Sequence, residues 1–157
     1  MKRGFTLLLA EDNEDNEDDV LFFKQALEHS VKTAGVPIRL EVACDGKEAI
    51  DYLQGEGEFR DREKHPFPEI MVTDLKMPRL NGLEVLAWLK EHEEFQRIPK
   101  ILLSASSQES DVDEAYRLGA NTFFQKPGSF HEFRELVYHI VCYWAHTQRP
   151  VIRQAVA

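Results

Sequence analysis

Short apolar runs alternate along the chain with longer segments in which apolar residues recur every three or four positions. Compact apolar runs bounded by turn residues are strand signals, and the longer period is a helix signal. Strands are predicted at Phe5–Ala10, Ile38–Ala43, Ile70–Thr73, Lys100–Ser104 and Thr122–Gln125, with helices in the intervals and after the last strand. Three helix starts are marked by a capping side chain followed three residues on by an acid: Asp45 and Glu48, Asn81 and Glu84, Ser129 and Glu132. In the last segment Phe133, Leu136, Val137, Ile140, Val141 and Trp144 fall on one helical face, which predicts a helix laid on a sheet. Strict strand–helix alternation gives βαβ units. The expectation is an α/β, flavodoxin-like, doubly wound parallel sheet of five strands in the order 2-1-3-4-5 with five helices. Ligands of such sheets sit beyond the carboxyl ends of the strands.

Composition narrows the class. At 157 residues, 43% hydrophobic and 30% charged, the chain has the size and balance of one globular domain. Its formal charge of −9 argues against general binding to nucleic acid or to an anionic membrane surface. No apolar stretch approaches the roughly 20 residues of a membrane span, and the start, Met1-Lys2-Arg3-Gly4-Phe5, lacks a secretory layout. A cytoplasmic location is expected. Cys44 and Cys142 lie far apart in apolar segments, so buried free thiols are expected rather than a disulfide.

The chemistry gathers at the predicted strand ends. Asp74 closes the run Ile70-Met71-Val72-Thr73, where a carboxylate is costly unless something binds it. Glu11-Asp12 follow the first strand, Ser104-Ala105 end the fourth, and Lys126-Pro127 follow the fifth. In the expected topology all of these converge. Individually each has an ordinary alternative: a strand-to-turn acid, a strand-end serine, a solvated lysine. Their value lies in their joint placement.

The motifs LLLAED (Leu7 to Asp12), MVTDLKMPRLNG (Met71 to Gly82), ILLSA (Ile101 to Ala105) and FFQKP (Phe123 to Pro127) resemble the receiver domain of two-component response regulators. The spacings from Asp74 to Ser104 and from Ser104 to Lys126 are similar to the family's. DGKEAIDYL (Asp45 to Leu53), the charged loop after it and the terminal Tyr143-Trp144 look most like single-domain regulators that serve phytochrome kinases. The resemblance implies a stand-alone phosphoacceptor, not an enzyme, with a sensor histidine kinase as partner, a phytochrome-like one in particular. It implies Asp74 as the nucleophile and Mg²⁺ held by Glu11, Asp12, Asp74 and the backbone carbonyl of Lys76. It implies Lys126 as the counter-cation, and Ser104 and Phe123 as the switch pair. It also implies that Lys76 and Ser106, two residues beyond acceptor and switch serine, flank the path of the hydrolytic water, and with neither a carboxamide nor a carboxylate, that turnover is slow.

The receiver is expected over residues 1–146, with a short tail at 147–157. One departure from the family is the duplicated Glu-Asp-Asn in the stretch from Glu11 to Asp19. Strand length favours Glu11-Asp12 as the metal pair, and a register using Glu14-Asp15 stays open. The run lacks the glycine of an EF-hand. The six histidines form no metal motif. Tyr116, the fifth strand and the Tyr138–Trp144 side of the last helix make a candidate surface for a homodimer. Pro150, Val151 and Ile152 could join a neighbouring apolar patch, or pack on their own domain. Two other functions compete. An aspartyl-phosphate hydrolase would carry an acid where Lys76 stands, and a phosphorylation-independent docking module would not need the acid–serine–lysine set.

Overall fold

The computed structural model describes residues 4–12 and 17–150. Among them the chain forms β1 (Phe5–Ala10), α1 (Glu17–Ala34), β2 (Ile38–Ala43), α2 (Gly46–Gln54), β3 (Ile70–Thr73), α3 (Gly82–Glu91), β4 (Lys100–Ser104), α4 (Glu109–Arg117), β5 (Thr122–Gln125) and α5 (Phe130–Ala145). The strands make one parallel sheet in the order β2-β1-β3-β4-β5, as the alternating pattern predicts.

Side chains on a strand point alternately to its two faces. Leu7 and Leu9, Ile70 and Val72, Ile101 and Leu103 therefore pack with Phe23, Ala26 and Leu27 of α1 and Phe133, Val137, Ile140 and Val141 of α5. Leu8, Ala10 and Met71 face the other way, against Ala49, Tyr52 and Leu53 of α2 and Val85 and Leu89 of α3. Leu102 meets Leu86 and Ala115 beneath α3 and α4. Because both faces are covered, the central strands read as unbroken apolar runs. Truncating any of the fully buried leucines in β1 to alanine would cost about 2–5 kcal/mol.

The three predicted caps form. Asp45 accepts from Glu48 N, Ser129 accepts from Glu132 N, and Asn81 with Glu84 makes a reciprocal capping box. In α5 the predicted stripe is buried or partly buried, Trp144 and Leu136 lying at its margin. Cys44 and Cys142 are free thiols, but half-buried rather than buried.

The charged segment Gln54–Pro68 is more structured than its composition suggests. After α2 ends at a left-handed Gly55, a 3-10 turn over Gly57–Phe59 puts the Phe59 ring 4.9 Å from Tyr52. Arg62 folds inward and donates to the α2 carbonyls of Tyr52 (2.8 Å) and Leu53 (2.9 Å). A cation there satisfies carbonyls that the helix end leaves open. After α5 the chain stays on the body. The Arg149 guanidinium lies 5.0 Å from the Phe5 ring, pairs with Glu69 at 3.4 Å and donates to the carbonyls of Gly4 and Trp144.

Candidate functional site

The strands β1, β3 and β5 each end one residue before a charged side chain, and the parallel register brings those ends level. Ala10 pairs with Thr73, so Glu11 and Asp74 leave adjacent strands side by side. Asp74 N donates to Ala10 O at 2.9 Å, Glu11 N to Ala43 O at 3.0 Å, and Lys126 N to Ser104 O at 2.7 Å. Backbone pairing thus sets the ends of all five strands before any side chain is considered.

Asp74 is 7% exposed and Glu11 3%. The Lys126 amine lies between them, 3.2 Å from Glu11 Oε1 and 3.4 Å from Asp74 Oδ2. Asp12 is buried alongside Glu11 on the same strand exit. Burial, with hydrogen bonding and repulsion from Asp74, raises the Glu11 carboxyl well above the usual carboxylate range, to about 9, against the pull of Lys126. Burial also opposes the charge on Lys126, but Glu11, Asp74 and Asp19 outweigh it and hold the amine above its ordinary value. The other oxygen of Asp74, Oδ1, accepts from Leu75 N at 2.6 Å. Gly82 closes the following loop by donating its N–H to Leu75 O at 2.8 Å. A Cβ at Gly82 would collide with the Asp74 carbonyl, so the start of α3 can lie against Asp74 only with glycine there.

A shifted carboxyl carries a pH consequence. A Glu whose folded-state pKa is raised binds its proton more tightly in the folded state. That contribution is full below about pH 4.5 and is lost as pH climbs toward about 9. In EDTA, stability should fall from pH 6 to 8.5 by up to about 1.4 kcal/mol per unit from this group. Glu11→Gln should flatten that slope in urea titrations, and an unchanged slope would remove Glu11 as its source.

Ser104 is buried at the end of β4. Its Oγ accepts from Ser106 N at 3.1 Å, while Ser106 Oγ donates to Asp111 Oδ2 at 2.8 Å. Ser104 thus faces its own loop, beside the Lys126 backbone. Phe123 packs partly buried against Leu102, Ala115 and Ala120, and its N–H donates to the Tyr116 hydroxyl at 3.1 Å. That bond occupies a donor on the outer edge of β5, an edge strand. Lys76 is exposed on the loop beyond Asp74.

Asp19 was not singled out from sequence, yet its Oδ2 lies 3.2 Å from Lys126 Nζ. It is the third residue of α1 and one acid among many between Glu11 and Asp19, so no sequence signal singles it out. Its side chain is 39% exposed, so this pair is worth less than the buried ones. The alternative metal pair Glu14-Asp15 and the patch residues Val151 and Ile152 lie outside the described residues. A cavity of about 180 Å³ opens beside the amine, bounded by Glu11, Asp19, Phe22, Lys126 and Phe130. Phe22 and Phe130 are exposed, their ring centroids 5.5 Å apart.

Among the described residues no three His, Cys, Asp or Glu side chains form a ready-made metal cluster. Mg²⁺ does not need one, since it uses one or two carboxylates with waters and phosphate oxygens. Buried carboxylates held together by one amine are a donor set of that kind.

A cluster of acids and a lysine at the carboxyl edge of a five-stranded doubly wound sheet defines the class. Residues 9–138 match the response regulator receiver domain, and the chain belongs to that family. The response regulator Rcp1 of Synechocystis sp. is 31% identical over 134 residues, spanning 85% of this chain and 86% of that protein. The phosphorylated cyanobacterial phytochrome response regulator RcpA superposes with a TM-score of 0.83 at 30% identity, covering 94% of this chain and 99% of that one. The Mn²⁺-bound form of Rcp1 superposes with a TM-score of 0.80 at 30% identity, with coverage of 94% and 99%. The chain is a receiver domain of two-component signalling, close to phytochrome-associated regulators.

Proposed function

We propose that Asp74 accepts a phosphoryl group from the phosphohistidine of a sensor histidine kinase and that the modified domain signals through its contacts with other chains. The observation that carries this is Lys126 Nζ set between two buried carboxylates at the strand ends. A carboxylate oxygen of Asp74 attacks phosphorus in line as the phosphorus–nitrogen bond breaks, leaving an acyl phosphate and a free imidazole. Lys126 then exchanges its pairing with Asp74 for one with a phosphoryl oxygen. Ser104 donates its hydroxyl to another, giving up its bond from Ser106 N. The protein acts as a phosphoacceptor, not as an enzyme with a separate substrate.

Mg²⁺ fits the donor set. Asp12, Asp74 and the Lys76 carbonyl would hold it, with Glu11 directly or through water, and it would neutralise the clustered acids and the incoming charge. The Mn²⁺-bound form of Rcp1 supports a divalent ion here. The likeness to RcpA and Rcp1 supports a phytochrome-like kinase as donor, and the exposed Phe22–Phe130 rim beside the site suits a protein donor. No described helix is long and apolar enough to cross a membrane; we place the protein in the cytoplasm with such a kinase. Acetyl phosphate with Mg²⁺ should add the mass of one phosphoryl group, and no uptake under conditions that label other receivers would defeat the assignment.

Two further expectations concern the phosphorylated state. Lys76 is exposed and Ser106 spends its hydroxyl on Asp111, so neither orients a hydrolytic water. Dephosphorylation should be slow, and Lys76→Asn should speed it several-fold by supplying a carboxamide. Equal or slower loss of label from that variant would contradict this. A homodimer is proposed on the face formed by Tyr116 of α4, β5 and Tyr143 of α5, both tyrosines being exposed. A cleft of about 370 Å³ between β5 and α5, lined by Phe124, Ile140 and Trp144 among others, gives it an apolar centre. Sedimentation with and without beryllofluoride should show a change in association, since only differential affinity for the two states can carry a signal. A strict monomer in both would leave other chains as the sole readers.

A further inference from the structure

Arg79 has φ of 65°, and among the described residues it is the one non-glycine with a positive value. Leu80 N donates to Pro78 O at 2.8 Å across it, which is the hydrogen bond of a γ-turn with a positive central φ, a rare and strained form. A strained residue persists only where its surroundings hold it. The Arg79 guanidinium reaches Asp45 Oδ2, at 2.7 Å from Nε and 2.5 Å from the terminal nitrogen. Asp45 is the N-cap of α2. Its Oδ1 accepts from Glu48 N at 2.8 Å, so each oxygen has its own partner. The aspartate side chain is 9% exposed and the arginine 61%. The next residue of the helix, Gly46, lies so near the Leu80 carbonyl that a Cβ there would collide with it. The loop tip is therefore pressed onto the first turn of α2 and pinned by charge.

The same loop leaves the acceptor. Leu75, whose N–H donates to Asp74 Oδ1, and Lys76 lie between Asp74 and the pinned tip, and Gly82 closes the base on Leu75 O. We infer that the Arg79–Asp45 clasp positions the acceptor loop, holding Leu75 and Lys76 in the conformation in which Asp74 takes metal and phosphoryl group. Arg79 touches neither reacting atoms nor metal ligands. It is a positioning residue, and its contribution rests on the acceptor assignment made above.

The clasp can be opened without attacking the fold. Arg79→Gly removes the cation and suits the positive φ, so its thermal midpoint should equal or exceed the parent's. Asp45→Asn keeps a good helix cap through one oxygen and turns an amide donor toward Arg79 in place of the oxygen it grips. In both, hydrogen exchange at the Leu75 and Gly82 amides should quicken at least tenfold while strand amides stay as they were. In labelling by acetyl phosphate, half-saturating Mg²⁺ should rise at least fivefold with a smaller change in maximal rate. Arg79→Lys should recover most of the loss, and the double variant Arg79→Gly/Asp45→Asn should be no worse than either single one. Unchanged exchange, unchanged Mg²⁺ dependence or additive losses would each overturn the clasp. If the parent protein takes no phosphoryl group at all, the acceptor assignment falls, and amide exchange alone then decides whether the clasp holds the loop.

Discussion

Asp74→Asn should fold as the parent does and take up no phosphoryl group from acetyl phosphate and Mg²⁺. The amide keeps an oxygen for the Leu75 N–H that donates to Oδ1. Lys126 keeps Glu11 and Asp19 as partners. Removing one buried carboxylate from a crowded acidic site also relieves repulsion on Glu11, so no large loss of stability follows. Chemistry is another matter, because a carboxamide is not a competent nucleophile toward phosphorus and the other acids have no counterpart of Asp74's place beside Lys126 and the α3 start. Labelling should fall by more than about 100-fold, the scale of losing a nucleophile outright. Undiminished labelling would move the acceptor elsewhere.

Gly82→Ala should produce the largest stability loss of any single-methyl addition in the site. The new Cβ would meet the Asp74 carbonyl and crowd the Leu75 Cα, both backbone, so no flexible side chain can give way. The start of α3 must shift, taking with it the bond to Leu75 O and the Asn81–Glu84 capping box. Overpacking of this sort costs about 1–3 kcal/mol, and the lost cap about 1 more. Gly128→Ala is the control, since nothing lies within 4 Å of a Cβ there. Urea unfolding should separate the two variants clearly. Equal midpoints would mean that the α3 start is not held against Asp74 as described.

The two variants also mark what the sequence made legible. The ends of β1 and β3 were readable because an apolar run covered on both faces stops at its first charged residue, which placed Glu11 and Asp74 together; β5 is a half-buried edge strand ending in Gln125, and Lys126 was legible only from its spacing to Ser104 and Asp74. Helix starts at Asp45, Asn81 and Ser129 were readable because capping is local chemistry. Asp19 was not, since one acid among many in the stretch from Glu11 to Asp19 carries no mark of which turn faces the lysine. Arg79 was hidden for a similar reason. A positive φ at a non-glycine residue depends on what holds it, and Asp45 is distant in sequence. The inward Arg62 and Arg149 look like solvated cations until Tyr52, Leu53 and Phe5 are brought beneath them.

Asp74 itself is proposed to carry the phosphoryl group. Borohydride reduces an acyl phosphate to an alcohol, converting a phosphorylated aspartate to homoserine. Protein labelled with acetyl phosphate and Mg²⁺, reduced, digested and sequenced by mass spectrometry should contain homoserine at position 74 and nowhere else. Reduction products at Glu11, Asp12 or Asp19 in its place, or none in protein that has gained the mass of a phosphoryl group, would contradict it.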